Sequence, residues 1–179
     1  MKKALDALAA DMNLKEIQAV IDRVARNSKE VEEIVKSIVS QYCQELDDYM
    51  AQLDHMLVDA ANNGTEISDR QLEEASLNLA SLLYFVWSSQ EVVGIQQDVA
   101  EAIRNDVYNR VREKATGTVA DKDTAAQLQS ITESIVAIAY SRAYKQIRAK
   151  VEAASEMRNA LKKIISLRIA GIERLGGDV

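Results

Sequence analysis

The chain has 179 residues, 47% of them apolar and 28% charged, with no proline and one cysteine. That apolar share is enough for a continuous core and excludes a largely disordered chain, and a lone cysteine excludes an internal disulfide. The formal charge of −6 conceals an asymmetry: between Arg142 and Arg174 nine basic residues face three acidic ones, so this stretch carries +6 and the remainder −12.

Without proline, the strongest helix breaker, apolar residues at three- and four-residue steps predict long, uninterrupted helices. Only two segments interrupt the pattern, Asn62 to Ser68 and Thr116 to Asp121, and each carries a glycine suited to ending a helix. The expectation is an all-α fold: one domain over 1–179, with three helices at about 14–61, 69–115 and 121–172 in an antiparallel, coiled-coil-like bundle.

The first helix is expected to start at Leu14, capped by Asn13 with Glu16 three residues on. Its seam runs Ile17, Val20, Val24, Val31, Ile34, Ile38, Tyr42, Leu46, Tyr49, Leu53 and Met56. The consecutive four-residue steps Ile38 to Tyr42 to Leu46 form a stutter that locally unwinds a coiled coil.

The second helix has the clearest start, a capping box from Ser68 to Gln71, with Ile67 placed to staple onto Leu72. Around Leu79, Leu82, Leu83, Phe85, Val86 and Trp87 it is apolar over more of its circumference than a surface helix. These residues are the expected core and the centre of a homo-oligomer, because three helices of roughly 65–70 Å carry stripes too long for one copy to cover. Gly94, in mid-helix, points to a close crossing or a soft point.

The third helix is expected to begin near Thr118 or Asp121 and to run through Leu128, Ile131, Ile135, Ile147, Val151 and Leu161 to Ile172, before Gly176 and Gly177 release the tail. Its basic residues suit either a polyanion or packing beside acidic stretches such as Glu30 to Glu33 and Glu45 to Asp48.

Catalytic chemistry is not expected. His55 is the only histidine, so a His-His or His-Cys zinc site lacks its ligands, and the Glu-x-x-His of carboxylate metal sites in bundles is absent. Asp54 and His55 read as a solvated helix edge, and Cys43 as a small helix residue with no sequence-adjacent base. No glycine-rich phosphate loop is present. No catalytic residue, metal or cofactor is therefore assigned. The longest uncharged run, Ala75 to Gln90, is too short to cross a bilayer, which needs roughly 20 apolar residues. Asp6 and Asp11 interrupt any signal-like start, so a cytoplasmic protein is expected.

Binding is the remaining chemistry. Arg110, Arg112 and Lys114 precede the Gly117 turn and Lys122 follows it, a cation cluster able to hold phosphates beside the amides opening the third helix. Tyr108, Tyr140 and Tyr144 lie among basic residues on the same elements, the composition of a single-stranded nucleic-acid site. The same tyrosines at helical spacing also suit a seam, and arginines near a helix end suit the dipole.

The run Val107-Tyr108-Asn109-Arg110-Val111-Arg112-Glu113-Lys114, followed by Gly117-Thr118-Val119-Ala120-Asp121-Lys122-Asp123, resembles the central region of phage recombination mediators of the UvsY type. Leu72 to Ala75 through Leu83-Tyr84 to Trp87 is similar to that family's aromatic-containing helix, and Leu161 to Ile172 to its closing basic helix. The resemblance covers roughly the last two-thirds of the chain; the first helix has no counterpart in it. It implies a non-catalytic, ring-like homo-oligomer in the host cytoplasm that binds single-stranded DNA through Arg110 and Arg112. Its partners would be a recombinase and single-strand binding protein. The alternative is a structural, assembly or adaptor protein of a phage, acting through coiled-coil contacts alone. A membrane-binding dimer needs a large basic face, which the −12 outside the last helix disfavours.

Overall fold

A computed structural model describes the backbone of residues 2–176, with side-chain surroundings for residues 18–171 except residue 20. It is all-helical: α1 (Lys2–Asn63), α2 (Asp69–Lys114), α3 (Val119–Gln129) and α4 (Ile131–Gly176). Expected boundaries move at both ends of the chain, and α4 stays helical to Gly176, past the expected end at Ile172. The backbone is already helical from Lys2, so Asn13 lies within α1 rather than capping it; the Asn13 and Glu16 side chains, like Ile17, Val20 and Ile172 of the expected seams and Gly177 of the tail, lie outside the described residues.

The expected third helix is two helices, because Ser130 leaves helical geometry at φ −98°, ψ 17°. Serine offers the backbone competing hydrogen bonds: Ser130 Oγ reaches back to the Gln127 carbonyl at 3.5 Å, and Ser134 Oγ donates to the Ser130 carbonyl at 2.7 Å. Backbone bonds from Ser130 N–H to the Ala126 carbonyl and from Ser134 N–H to the Ser130 carbonyl survive on either side. The break is therefore a kink and not a loop.

The two glycine turns form where expected. α1 closes with Gly64 at φ +61° and a 3.0 Å bond from Thr65 N–H to the Ala60 carbonyl, the longer bond of a Schellman ending. α2 opens on the Ser68 box, in which Gln71 Oε1 accepts from Ser68 N–H at 3.0 Å and Ser68 Oγ accepts from Gln71 N–H at 3.3 Å.

The chain divides into two compact units, the first running up to Lys36 and over Ala100–Ala139, the second over Ser37–Val99 and from Tyr140 onward. In the second, α2 buries Leu72, Leu79, Val86 and Val93 at seven-residue spacing with Ala75, Ser76 and Leu83 beside them. α1 contributes Ile38, Val39, Cys43, Leu46 and Leu53, and α4 contributes Ala143, Ile147, Val151, Ala154 and Leu161. Cys43 takes the fully buried position at the stutter, with Tyr42 half-buried beside it, because consecutive four-residue steps carry the seam one residue round the helix.

Leu79, Leu83 and Val86 are thus core, and Leu82 is half-buried. Phe85 and Trp87 stand on the outside of the chain at 63% and 50% exposure.

Gly94 marks a close crossing: a Cβ there would lie 3.3 Å from Cε2 of Tyr144, whose hydroxyl accepts from Gln90 Nε2 at 3.3 Å. Charged ties complete this unit. Lys150 Nζ meets Asp47 at 2.6 Å, pairing the basic last helix with the acidic stretch Glu45 to Asp48. Arg168 donates to the Ile67 carbonyl at 2.6 Å and to Asp69 at 2.8 Å, anchoring the α1–α2 turn to α4.

The first unit has a lighter core. Its buried residues among those described are Val35, Ala100, Ala126, Ala137, Ala139 and the polar Ser130.

Candidate nucleic-acid interface

The α2–α3 turn of the first unit is built by two helix-end signals. α2 runs to Lys114 with basic Arg112 and Lys114 in its last turn, where cations favour the dipole. Gly117 at φ +110° turns the chain, and Thr118 caps α3. Its hydroxyl accepts from Asp121 N–H at 3.3 Å, while the Asp121 carboxylate accepts from Thr118 N–H at 3.0 Å and from the hydroxyl at 2.7 Å. Hydrogen bonds from the Thr118 side chain and backbone hold the Asp121 carboxyl below its usual pKa. The positive end of α3 is therefore already served by a carboxylate, a change from the expectation that these amides would wait for a phosphate.

Arg110, Arg112 and Lys114 are all exposed and Lys122 is half-buried. Arg110 pairs with Asp106 one turn earlier. Arg112 Nε meets Asp123 Oδ1 at 2.5 Å, and the same carboxylate oxygen accepts from the Tyr108 hydroxyl at 3.2 Å. Burial, and then this hydrogen bond, raise the Tyr108 phenol's pKa. Tyr108 is thus tied down as a strut between α2 and α3. The stretch from Asp106 to Asp123 balances its four cations in number with Asp106, Glu113, Asp121 and Asp123, and the two arginines of the cluster are ion-paired.

The other aromatic and basic groups of the expected site, Tyr140, Arg142, Tyr144, Lys145 and Arg148, belong to the second unit. Tyr144 is spent on the Gly94 crossing, and Arg148 pairs with Glu152 at 2.8 Å.

Cys43 is fully buried, and burial, with Asp47 nearby, raises its thiol pKa to about 11, so the thiolate nucleophile is suppressed. His55 is exposed. No group of three metal-ligating side chains occurs among the described residues, and no described helix is long and apolar enough to cross a membrane.

A second feature of the first unit was not expected from the sequence. Arg104, Asn105 and Tyr108 of α2, Gln127 of α3, Ser130 at the kink and Ser134 of α4 line a cleft of about 370 Å³. In the sequence Gln127, Ser130 and Ser134 fall at helical spacing, but among other polar residues such as Gln129, Thr132 and Glu133 nothing marks them as a site.

Comparison of the chain with protein-family models, curated proteins and solved structures finds no match.

Proposed function

We propose that the protein is a non-catalytic, self-associating helical protein that binds single-stranded DNA at the α2–α3 turn. In this reading it helps load a recombinase onto DNA covered by single-strand binding protein, in the cytoplasm of a phage host. The observation that carries the reading is the turn itself: Arg110, Arg112 and Lys114 end one helix and Lys122 opens the next, in the run that resembles the recombination mediators. The Arg110 pair is mostly solvent-exposed and the Arg112 pair partly so, and pairs open to water are worth only about 0–1 kcal/mol. A polyphosphate backbone that releases counterions on binding can displace them.

Self-association is supported by the outward face of α2 in the second unit. Leu77, Tyr84, Phe85, Val92, Ile95 and Val99 are all exposed, and Phe85, Val92 and Val99 recur at heptad spacing, as a coiled-coil seam requires. A second copy covering this face would give the oligomer its coiled-coil contacts.

The neutral charge balance of the turn favours a second reading, in which the cations serve only α2–α3 pairing and the α2 face makes this an assembly or adaptor protein. Salt-dependent binding of a single-stranded oligonucleotide separates the two. The first reading requires binding at low salt that Arg110→Gln with Arg112→Gln weakens, with a log–log salt slope shallower by roughly 0.7 for each phosphate no longer neutralised. Absence of low-salt binding, together with dissociation of the oligomer by Phe85→Ser and Val92→Ser, would leave the assembly reading.

A further inference from the structure

Apart from Tyr108, the polar cleft of the first unit is lined by residues outside the expected DNA site. All six lining residues, Arg104, Asn105, Tyr108, Gln127, Ser130 and Ser134, bring a polar group, and no carboxylate is among them. A metal cation would lack its preferred ligands there, whereas an anion meets a guanidinium, two side-chain amides and hydroxyls. Arg104 is held by a neutral partner: Nε and Nη2 donate to Asn105 Oδ1 at 3.4 and 3.1 Å. That arrangement keeps the guanidinium's charge and turns the Asn105 amide nitrogen into an available donor.

Ser130 supplies the second observation. It is only 3% exposed, yet among the described residues its hydroxyl finds a partner only in the Gln127 carbonyl at 3.5 Å, at the limit of a hydrogen bond. A buried hydroxyl so poorly partnered is costly, and it sits where the helix is kinked into the wall of the cleft. The neighbouring hydroxyls are already oriented. Ser134 donates to the Ser130 carbonyl and Tyr108 donates to Asp123, so both oxygens are left to accept. Donors from Arg104, Asn105 and Ser130 thus share the cleft with acceptors suited to a sugar hydroxyl or a base N–H. The volume of about 370 Å³ lies in the range of small-molecule sites and far exceeds one phosphate group.

We propose that this cleft binds a phosphate monoester of nucleotide size, with Arg104 and Ser130 on the phosphate and the Asn105 and Gln127 amides on the organic part. The source is either a free nucleotide or one terminal unit of a strand, and the probes below separate them.

The test is calorimetric titration of the full-length protein at low salt with deoxythymidine 5′-monophosphate, thymidine, inorganic phosphate and an oligothymidylate with and without a 5′-terminal phosphate. Tighter binding of the phosphorylated strand than of the monophosphate assigns the strand end, and the reverse assigns the free nucleotide. The monophosphate is expected to saturate at one per chain, at least tenfold tighter than thymidine and tighter than phosphate alone. Arg104→Gln should weaken it tenfold or more and Ser130→Ala several-fold, with helicity by circular dichroism unchanged. If Arg104→Gln loses helicity, Ser130→Ala and Asn105→Ala carry the test. Equal affinity for thymidine, or indifference to these substitutions, would overturn the proposal; phosphate binding as tightly as the nucleotide would overturn its size class. Monophosphate binding that survives Arg110→Gln with Arg112→Gln keeps the cleft separate from the DNA reading. Equal binding of both oligothymidylates without monophosphate binding would sink the cleft and leave that reading standing.

Discussion

The second unit buries Leu46, Leu53, Leu72, Leu79, Leu83, Ile147 and Leu161, whereas the described core of the first unit is chiefly Ala100, Ala126, Ala137 and Ala139 with a buried serine. Burying a leucine contributes about 1.5–3 kcal/mol, and an alanine far less. The second unit is therefore held by non-directional burial, which tolerates a featureless surface. The first depends on particular polar contacts: the Thr118 capping box, the Arg112–Asp123 pair and the Tyr108 hydrogen bond. Both candidate binding features lie in that lightly packed unit, in keeping with the general drift of function toward low-stability elements.

The largest expected effect breaks the second unit's side of this contrast. Leu83, 1% exposed, should cost about 2–5 kcal/mol when replaced by alanine, read as a lower denaturation midpoint by the fluorescence of Trp87, which belongs to the same unit. A loss below about 1 kcal/mol would show that this core repacks easily and that the contrast is overstated. In the first unit the corresponding weak point is backbone. Gly117 at φ +110° has Asp121 Oδ2 only 3.0 Å from where a Cβ would stand, so Gly117→Ala should cost roughly 1–3 kcal/mol. Hydrogen exchange should quicken over 119–129 and stay unchanged over the core of α2 around Leu79.

Removing the cap is expected to do less. Thr118→Ala frees Asp121 N–H and should cost about 1 kcal/mol, seen as fraying at the start of α3. Next comes Arg112→Gln, which breaks a partly exposed pair and should change stability by no more than about 1 kcal/mol. Salt sharpens this one: raising ionic strength should narrow the difference between wild type and Arg112→Gln, while the cost of Leu83→Ala stays constant, because burial is not screened.

Legibility follows the same division. The helix ends that depend on local chemistry, Gly64, the Ser68 box and the Thr118 cap, were readable because each contact spans only a few residues. Leu79, Leu83 and Val86 were readable as core from apolar residues at helical spacing, but the seven-residue repeat that joins them to Leu72 and Val93 emerges only in the packed helices. The kink at Ser130 was not readable: serine is common in long helices, and only its packing beside α2 decides whether it bends one. Phe85 and Trp87 looked like core because composition reports how much of a helix is apolar, not which side faces its own chain. Cation clustering at the Gly117 turn was visible, but its neutralisation was not fully so. Asp106 lies one helical turn from Arg110, a pairing that spacing allows, whereas Asp123 reaches Arg112 only once α3 has folded back against α2.

The smallest effect concerns the proton on Asp121. Thr118 holds its carboxyl pKa below the usual value, so folding favours the ionised form. The stabilisation is present above the unfolded carboxyl's pKa of about 3.9 and disappears as pH falls through the lower folded value. The stability advantage of wild type over Asp121→Asn should therefore be constant from neutral pH to about pH 5 and shrink below about pH 4. In Thr118→Ala the carboxyl loses both its hydroxyl donor and its capping partner. Its titration, followed by the carboxyl carbon's NMR shift, should move back up toward the unfolded value. A titration midpoint identical in wild type and Thr118→Ala would mean that the capping box does not hold this charge, leaving the Arg112–Asp123 pair and the Tyr108 hydrogen bond as the polar contacts that tie the first unit together.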